Sequence, residues 1–91
     1  MARYQVLYWR NIPAQVKAYE GKRPVSHPLS ERFQVEIDRV AMKEGLSGND
    51  AYLEQWQWSA GQERPGSPRE VLEQVALELE AQYETLVGRN L

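Results

Sequence analysis

The stretch Tyr4–Lys17, YQVLYWRNIPAQVK, carries two strand-like runs in immediate succession, and a chain that opens this way must build a sheet. Tyr4, Val6 and Tyr8 alternate with Gln5, Leu7 and Trp9 on the two-residue period of a strand. Both sets are partly apolar, as in a strand with neighbours on either side, so the first run takes the centre of the sheet. The second run sets Ala14, Val16 and Ala18 against Gln15, Lys17 and Tyr19, a half-buried pattern that suits an edge. Between the runs, Arg10-Asn11-Ile12-Pro13 is of hairpin length, and Pro13 fixes its own φ while steering Ile12 away from helix. The spacing predicts an antiparallel pair. One face, with Tyr4, Val6 and Tyr8 beside the small alanines and Val16, receives helices; the other carries Gln5, Leu7, Trp9, Gln15, Lys17 and Tyr19.

Gly21–Leu29, with two prolines and little periodicity, reads as a connecting loop. Ser30 is a good N-cap, and Phe33, Ile37, Val40 and Ala41 recur at helical spacing from Glu31 to about Glu44. Gly45 stops that helix, and Leu46 is placed to close a hydrophobic contact at its end. After a turn at Asn49-Asp50, AYLEQWQWS reads as a third strand with Tyr52, Glu54, Trp56 and Trp58 on one face. The alternative is a single helical turn over Asp50–Glu54 before a shorter strand at Gln55–Ser59. Gly61–Gly66 is again loop-like. Ser67 with Glu70 forms a capping box and Pro68 occupies the first helical position, so a last helix begins here. Leu72, Ala76, Leu79, Tyr83 and Leu86 form its apolar stripe, Gly88 ends it, and Arg89 suits its C-terminus.

The resulting expectation is an α+β fold, β-β-α-β-α, with a three-stranded antiparallel sheet in the order 2-1-3 and both helices on one face. Its 91 residues make a single domain, 1–91, able to bury about two thirds of the surface the unfolded chain exposes. A composition of 42% hydrophobic and 26% charged residues excludes extensive disorder. No apolar run approaches membrane-spanning length and MARYQV lacks a signal-peptide core, so a cytoplasmic location and no membrane partner are expected. The net charge of −2 conceals a basic N-terminal half and an acidic C-terminal half.

YWRNIPAQV, SERFQVEIDRVAMKEGL, AYLEQWQW and the capped GSPREV segment resemble the small bacterial domain family named virulence factor, a domain that also occurs in the larger protein called conserved virulence factor C. The resemblance spans nearly the whole chain, with the WR-x-IPAQV stretch as its most specific part. It implies a stand-alone copy of that domain and carries over no reaction, ligand or catalytic residue.

The residues themselves argue against several chemistries. Without cysteine there is no disulfide, thiolate nucleophile or thiolate metal site. His27, the single histidine, has no nucleophile and orienting carboxylate at a recognisable spacing, so it reads as an exposed loop residue rather than a general base. One histidine without cysteine is also short of a usual zinc ligand set. Glu70, Glu73, Glu80 and Glu84 have the spacing of a solvated helix face, and Gly61–Gly66 lacks the Gly-Lys-Ser/Thr ending of a phosphate loop. No cofactor, metal or catalytic residue is therefore expected.

What remains is a surface. Leu7, Trp9, Arg10, Lys17, Tyr19, Trp56 and Trp58 are the candidate partner-binding residues. An uncovered apolar face in a small domain marks association, which makes a non-catalytic protein-interaction module, pairing with itself or with another protein, the leading expectation. The alternative is weak binding of nucleic acid or a phosphorylated ligand by Arg10, Lys17, Lys22, Arg23 and Arg32 beside Tyr8 and Trp9; a pI of 5.4 weighs against it. An enzyme with an unrecognised site is a third reading with no constellation of residues behind it.

Overall fold

A computed structural model describes residues 1–46 and 50–88. The elements run β1 (Ala2–Trp9), β2 (Ile12–Tyr19), β3 (Val25–Pro28), α1 (Glu31–Lys43), α2 (Asp50–Glu54), β4 (Trp56–Trp58), β5 (Gln62–Arg64), α3 (Pro68–Ala81) and α4 (Tyr83–Gly88). The fold is α+β with an antiparallel sheet, as expected, but it has five strands and four helices among the described residues rather than three and two. Strand order is β3-β2-β1-β4, with β5 also paired to β1. The expected turn residue Asn49 and the expected helix-end residue Arg89 lie outside the described residues.

The β1–β2 hairpin turns on Arg10 and Asn11 alone, since Trp9 pairs with Ile12. Arg10 takes the left-handed φ of +56°, the sort of conformation that a two-residue hairpin turn demands. Pro13 then lies inside β2 rather than in the turn, at a register shift where Tyr8 pairs with Pro13 and Leu7 with Gln15. The bulge absorbs a residue without a backbone donor.

Two stretches read as loops are strands. Val25–Pro28 pairs along β2, and Leu29 N–H donates to Ala14 O at 2.9 Å, which by the alternation of an antiparallel ladder turns Pro28 toward the outer edge, where a missing N–H costs nothing. Gln62–Arg64 pairs with Ala2–Tyr4 on the same edge of β1 that holds β4 at Leu7–Trp9. β4 and β5 are thus two halves of one strand, in which Ser59, Ala60 and Gly61 face only Gln5 and Val6. Ser59 makes good the interruption: its hydroxyl accepts from Val6 N–H at 2.9 Å and its N–H donates to Val6 O at 2.8 Å. Between α1 and β4 the single helical turn, not the longer strand, is what forms.

α1 ends as its sequence dictates. Gly45, at φ +71°, donates to Met42 O, Leu46 N–H donates to Ala41 O at 2.8 Å, and Leu46 packs on the core. Its start differs from expectation. Ser30 occupies the N-cap position without capping; its hydroxyl and N–H both donate to the Glu80 carboxylate, each at 2.7 Å. α3 opens with the expected capping box between Ser67 and Glu70, but the helix breaks at Gln82. The break turns α4 onto α1, where Tyr83 meets Phe33 edge to face at 5.0 Å.

One helical layer covers the sheet: the molecule measures 41 × 26 × 18 Å, and its shortest dimension accommodates two layers but not three. Val6, Val16 and Ala18 meet Phe33, Ile37 and Val40 of α1 and Val71, Leu72, Val75 and Leu79 of α3 in a single core. The expected α3 stripe is displaced by part of a turn. Leu72 and Leu79 are buried, Ala76 and Leu86 only partly, and the fully buried positions are Val71 and Val75, which the stripe omitted.

Glu80 is also corrected. It is not a solvated carboxylate but the joint between α3 and the start of α1, taking bonds from Ser30 and from Arg32 Nη2 at 3.0 Å, while Arg32 lies over the Tyr83 ring at 4.2 Å. Partial desolvation pushes its pKa up and is outweighed by the Ser30 and Arg32 bonds, which hold it below the ordinary carboxylate value. Glu78, chiefly through its bond with Arg64, is held low as well. Carboxylates with depressed folded pKa values contribute stability above their unfolded pKa and lose it as pH falls through the folded value. Glu80→Ala should therefore cost about 1–3 kcal/mol in denaturant unfolding, whereas Glu73→Ala should stay within about 0.5 kcal/mol. Glu80→Gln should flatten the acid side of the stability curve. Equal effects of the Glu80 and Glu73 variants would contradict the joint.

Candidate functional site

Pairing fixes which side chains share the face away from the helices. Gln5 pairs with Lys17, Leu7 with Gln15 and Trp58, and Arg3 with Tyr19 and Glu63, and cross-strand partners point to the same side. Gln5, Leu7, Gln15, Lys17 and Tyr19 are half-buried, and Trp58 is 40% exposed. Lys17 Nζ sits 4.3 Å from the centroid of the Trp58 ring, so the ammonium covers part of the indole and extends across the strands to reach it. A shallow recess of 280 Å³ opens beside them, lined by Gln5, Lys17, Tyr19, Gly21 and Pro24. Leu7, Lys17, Tyr19 and Trp58 are brought together on one surface as the sequence suggests.

Trp9, Arg10 and Trp56 are not part of it. Trp9 is wholly buried because α2 folds over this end of the sheet, although the unbroken pairing from Leu7–Trp58 to Trp9–Trp56 keeps it in step with Leu7 along β1. Its indole N–H donates to Tyr52 O at 3.0 Å, and its ring lies 5.6 Å from that of Tyr52. Trp56 continues the ladder at 6.2 Å from Tyr52, half-buried and edge to face. Arg10 is an anchor for the hairpin turn. Its N–H donates to Gln55 O at 3.1 Å, its guanidinium pairs with Glu44 beyond the end of α1, and it lies 5.1 Å from the Trp9 ring.

The cations expected to bind anions are scattered or already paired. Arg10 and the Lys22–Arg23 turn stand at opposite ends of β2. Arg3, Arg10, Arg32, Arg39 and Arg64 pair with Glu63, Glu44, Glu80, Glu36 and Glu78. Lys17 rests on Trp58.

His27 lies in β3, not in a loop, and is exposed. It borders a groove of 490 Å³ between β3 and α3, together with Arg69, Leu72, Glu73, Ala76, Leu77 and Glu80. The sequence offered one signal for this groove: Leu77, off the apolar stripe and 71% exposed. Among the described residues no three histidine or carboxylate side chains are grouped to hold a metal, and no helix is long and apolar enough to cross a membrane. Burial raises the Tyr8 hydroxyl pKa, with Tyr4 adding to the effect, so neither geometry nor charge primes it as a base at neutral pH.

A family profile described as "Virulence factor" matches residues 7–86, from the last three residues of β1 into α4. The chain belongs to the virulence factor family. The match takes in β2 to α3 whole, the end of β1 and most of α4, so the hairpin turn, the Tyr52–Trp9–Trp56 ladder and the Lys17–Trp58 contact all fall within the family's span. No curated protein and no solved structure matches the chain.

The buried and exposed indoles should behave oppositely on truncation. Trp9→Ala should cost about 3–5 kcal/mol and unfold much of the protein, whereas Trp58→Ala should cost no more than about 1 kcal/mol. Thermal melts followed by circular dichroism read both, and a Trp9→Ala protein as stable as the wild type would contradict the burial of that ring. Elemental analysis of purified protein should find no stoichiometric zinc, and one zinc per chain would overturn the reading of His27.

Proposed function

We propose that this virulence factor domain is a non-catalytic protein-interaction module that associates through the open sheet face. The observation that carries the reading is Trp58, an indole 40% exposed on the sheet face away from α1 and α3, flanked by Leu7, Tyr19 and the stem of Lys17. Tryptophan is the side chain most enriched at the energetic centre of protein interfaces, and the half-buried Gln5 and Gln15 supply the polar surround such a centre uses to exclude water. A cytoplasmic setting belongs to the same proposal. No set of nucleophile, base and orienting partner converges among the described side chains, which is why a binding role is preferred to an enzymatic one. Binding of nucleic acid through the basic N-terminal half is disfavoured by the carboxylate partners of its arginines.

Sedimentation velocity of the purified chain over a range of concentration and salt discriminates these readings. Self-association that barely changes with salt and is lost in Trp58→Ala supports the interaction face. Binding of a single-stranded oligonucleotide that falls steeply between about 50 and 200 mM salt, and that Lys17→Glu abolishes, would replace it with the nucleic-acid reading. A monomer that binds no oligonucleotide at any salt concentration counts against both.

A further inference from the structure

We infer that two copies of the chain join at their β4 edges to form one continuous sheet, an inference that rests on the interaction reading and gives it a geometry. The sheet has two outer edges, β3 on one side and β4 with β5 on the other. Their backbone chemistry differs. Arg10 N–H donates to Gln55 O at 3.1 Å and Ser59 N–H to Val6 O at 2.8 Å. Bonded and non-bonded positions alternate along an antiparallel ladder, so Gln57 exchanges its bonds with Tyr8 while Trp56 and Trp58 turn their N–H and C=O groups away from β1. Among the described residues nothing bonds to those outward groups.

On the opposite edge the same alternation turns Pro24, Ser26 and Pro28 outward, and both prolines lack a donor. That edge is protected in the way natural sheets protect themselves. The β4 edge is not: Gln55–Ser59 contains no proline and no charge.

A second copy suits this edge because Trp56-Gln57-Trp58 is symmetric about Gln57, so a two-fold pairing sets like aromatic side chains together. A two-fold axis through Gln57 sets Trp56 against Trp58 of the partner subunit, so every outward N–H meets an outward C=O, and no like charges are brought face to face. The bulge at Ser59–Gly61 and the helical turn of α2 confine the pairing to β4. The same axis brings the exposed Trp58 of each copy beside the partner's Trp56, at the margin of the surface that carries Leu7 and Lys17, and so joins the two open faces into one.

Amide hydrogen exchange on the full chain, measured by NMR at low and high protein concentration, tests the geometry directly. Trp56 and Trp58 amides should exchange quickly when dilute and slow by about tenfold or more as the dimer forms, while the Gln57 amide is protected throughout. Trp58→Pro removes an outward N–H without touching the β1 ladder and should leave a folded monomer; Trp58→Phe keeps the N–H and an aromatic ring and should still dimerise at higher concentration. Circular dichroism checks the fold of both, and the wild-type exchange result stands without either. A dimer in which Trp56 and Trp58 exchange at concentration-independent rates would overturn the edge pairing while leaving the interaction face intact. A chain that stays monomeric at every concentration would overturn the edge pairing along with self-association.

Discussion

β1 is the strand on which the rest of the molecule depends, because it is paired along both edges and holds three partners, β2, β4 and β5. β2 runs beside it from Arg3 to Trp9, while β4 and β5 share its other edge in two short segments. Both sets of its backbone groups are therefore engaged, and its side chains must serve two environments. Ala2 and Val6 enter the core; Gln5 and Leu7 look out from the face without helices; Trp9, beyond the register shift, is sealed by α2. A domain of this size has chain enough for one helical layer, and α1 and α3 spend it on the Val6–Val16 side. The exposed sheet face follows from that allocation.

The charges act mainly as fasteners between elements. Arg64 links β5 to Glu78 on α3, Arg10 links the hairpin turn to Glu44, and Arg32 with Ser30 links the start of α1 to Glu80. Each pair is partly exposed and individually modest, but each crosses a boundary between elements that the apolar core alone would allow to slide. Arg3 and Arg32 take their partners, Glu63 and Glu80, from the acidic half, while Arg10 and Arg39 pair with Glu44 and Glu36 within the basic half. Four arginines of the basic half are thereby neutralised locally.

Much of this was legible in the sequence where local chemistry dominates. The capping box at Ser67–Glu70, the glycine stop at Gly45 with Leu46 folding back, and the strand period of Tyr4–Trp9 are short-range signals, and the structure follows them. The misses share a cause. β3 and β5 are strands by virtue of β2 and β1, not of their own composition; Pro28 and the polar, charged Gln62–Arg64 carry no strand signal. Trp9 left the predicted open face because Tyr52, forty-odd residues away in sequence, covers it. Glu80 resembled its neighbours on the helix, and only the approach of Ser30 from α1 gives it a distinct role. Of the proposed surface, Leu7, Lys17, Tyr19 and Trp58 were readable from alternation alone, and cross-strand pairing brings their strands together.

The open face exists only if Leu7 lies away from α1 and α3. Nuclear Overhauser contacts in the isotopically labelled, dilute protein measure this most directly. The structure predicts cross-peaks between the Lys17 ε-methylene and the Trp58 indole, and from Leu7 methyls to Gln15 and Trp58, with none from Leu7 to the side chains of α1 or α3. Contacts from Leu7 to Phe33, Ile37 or Val75 would contradict it, for they would place the open face inside the core.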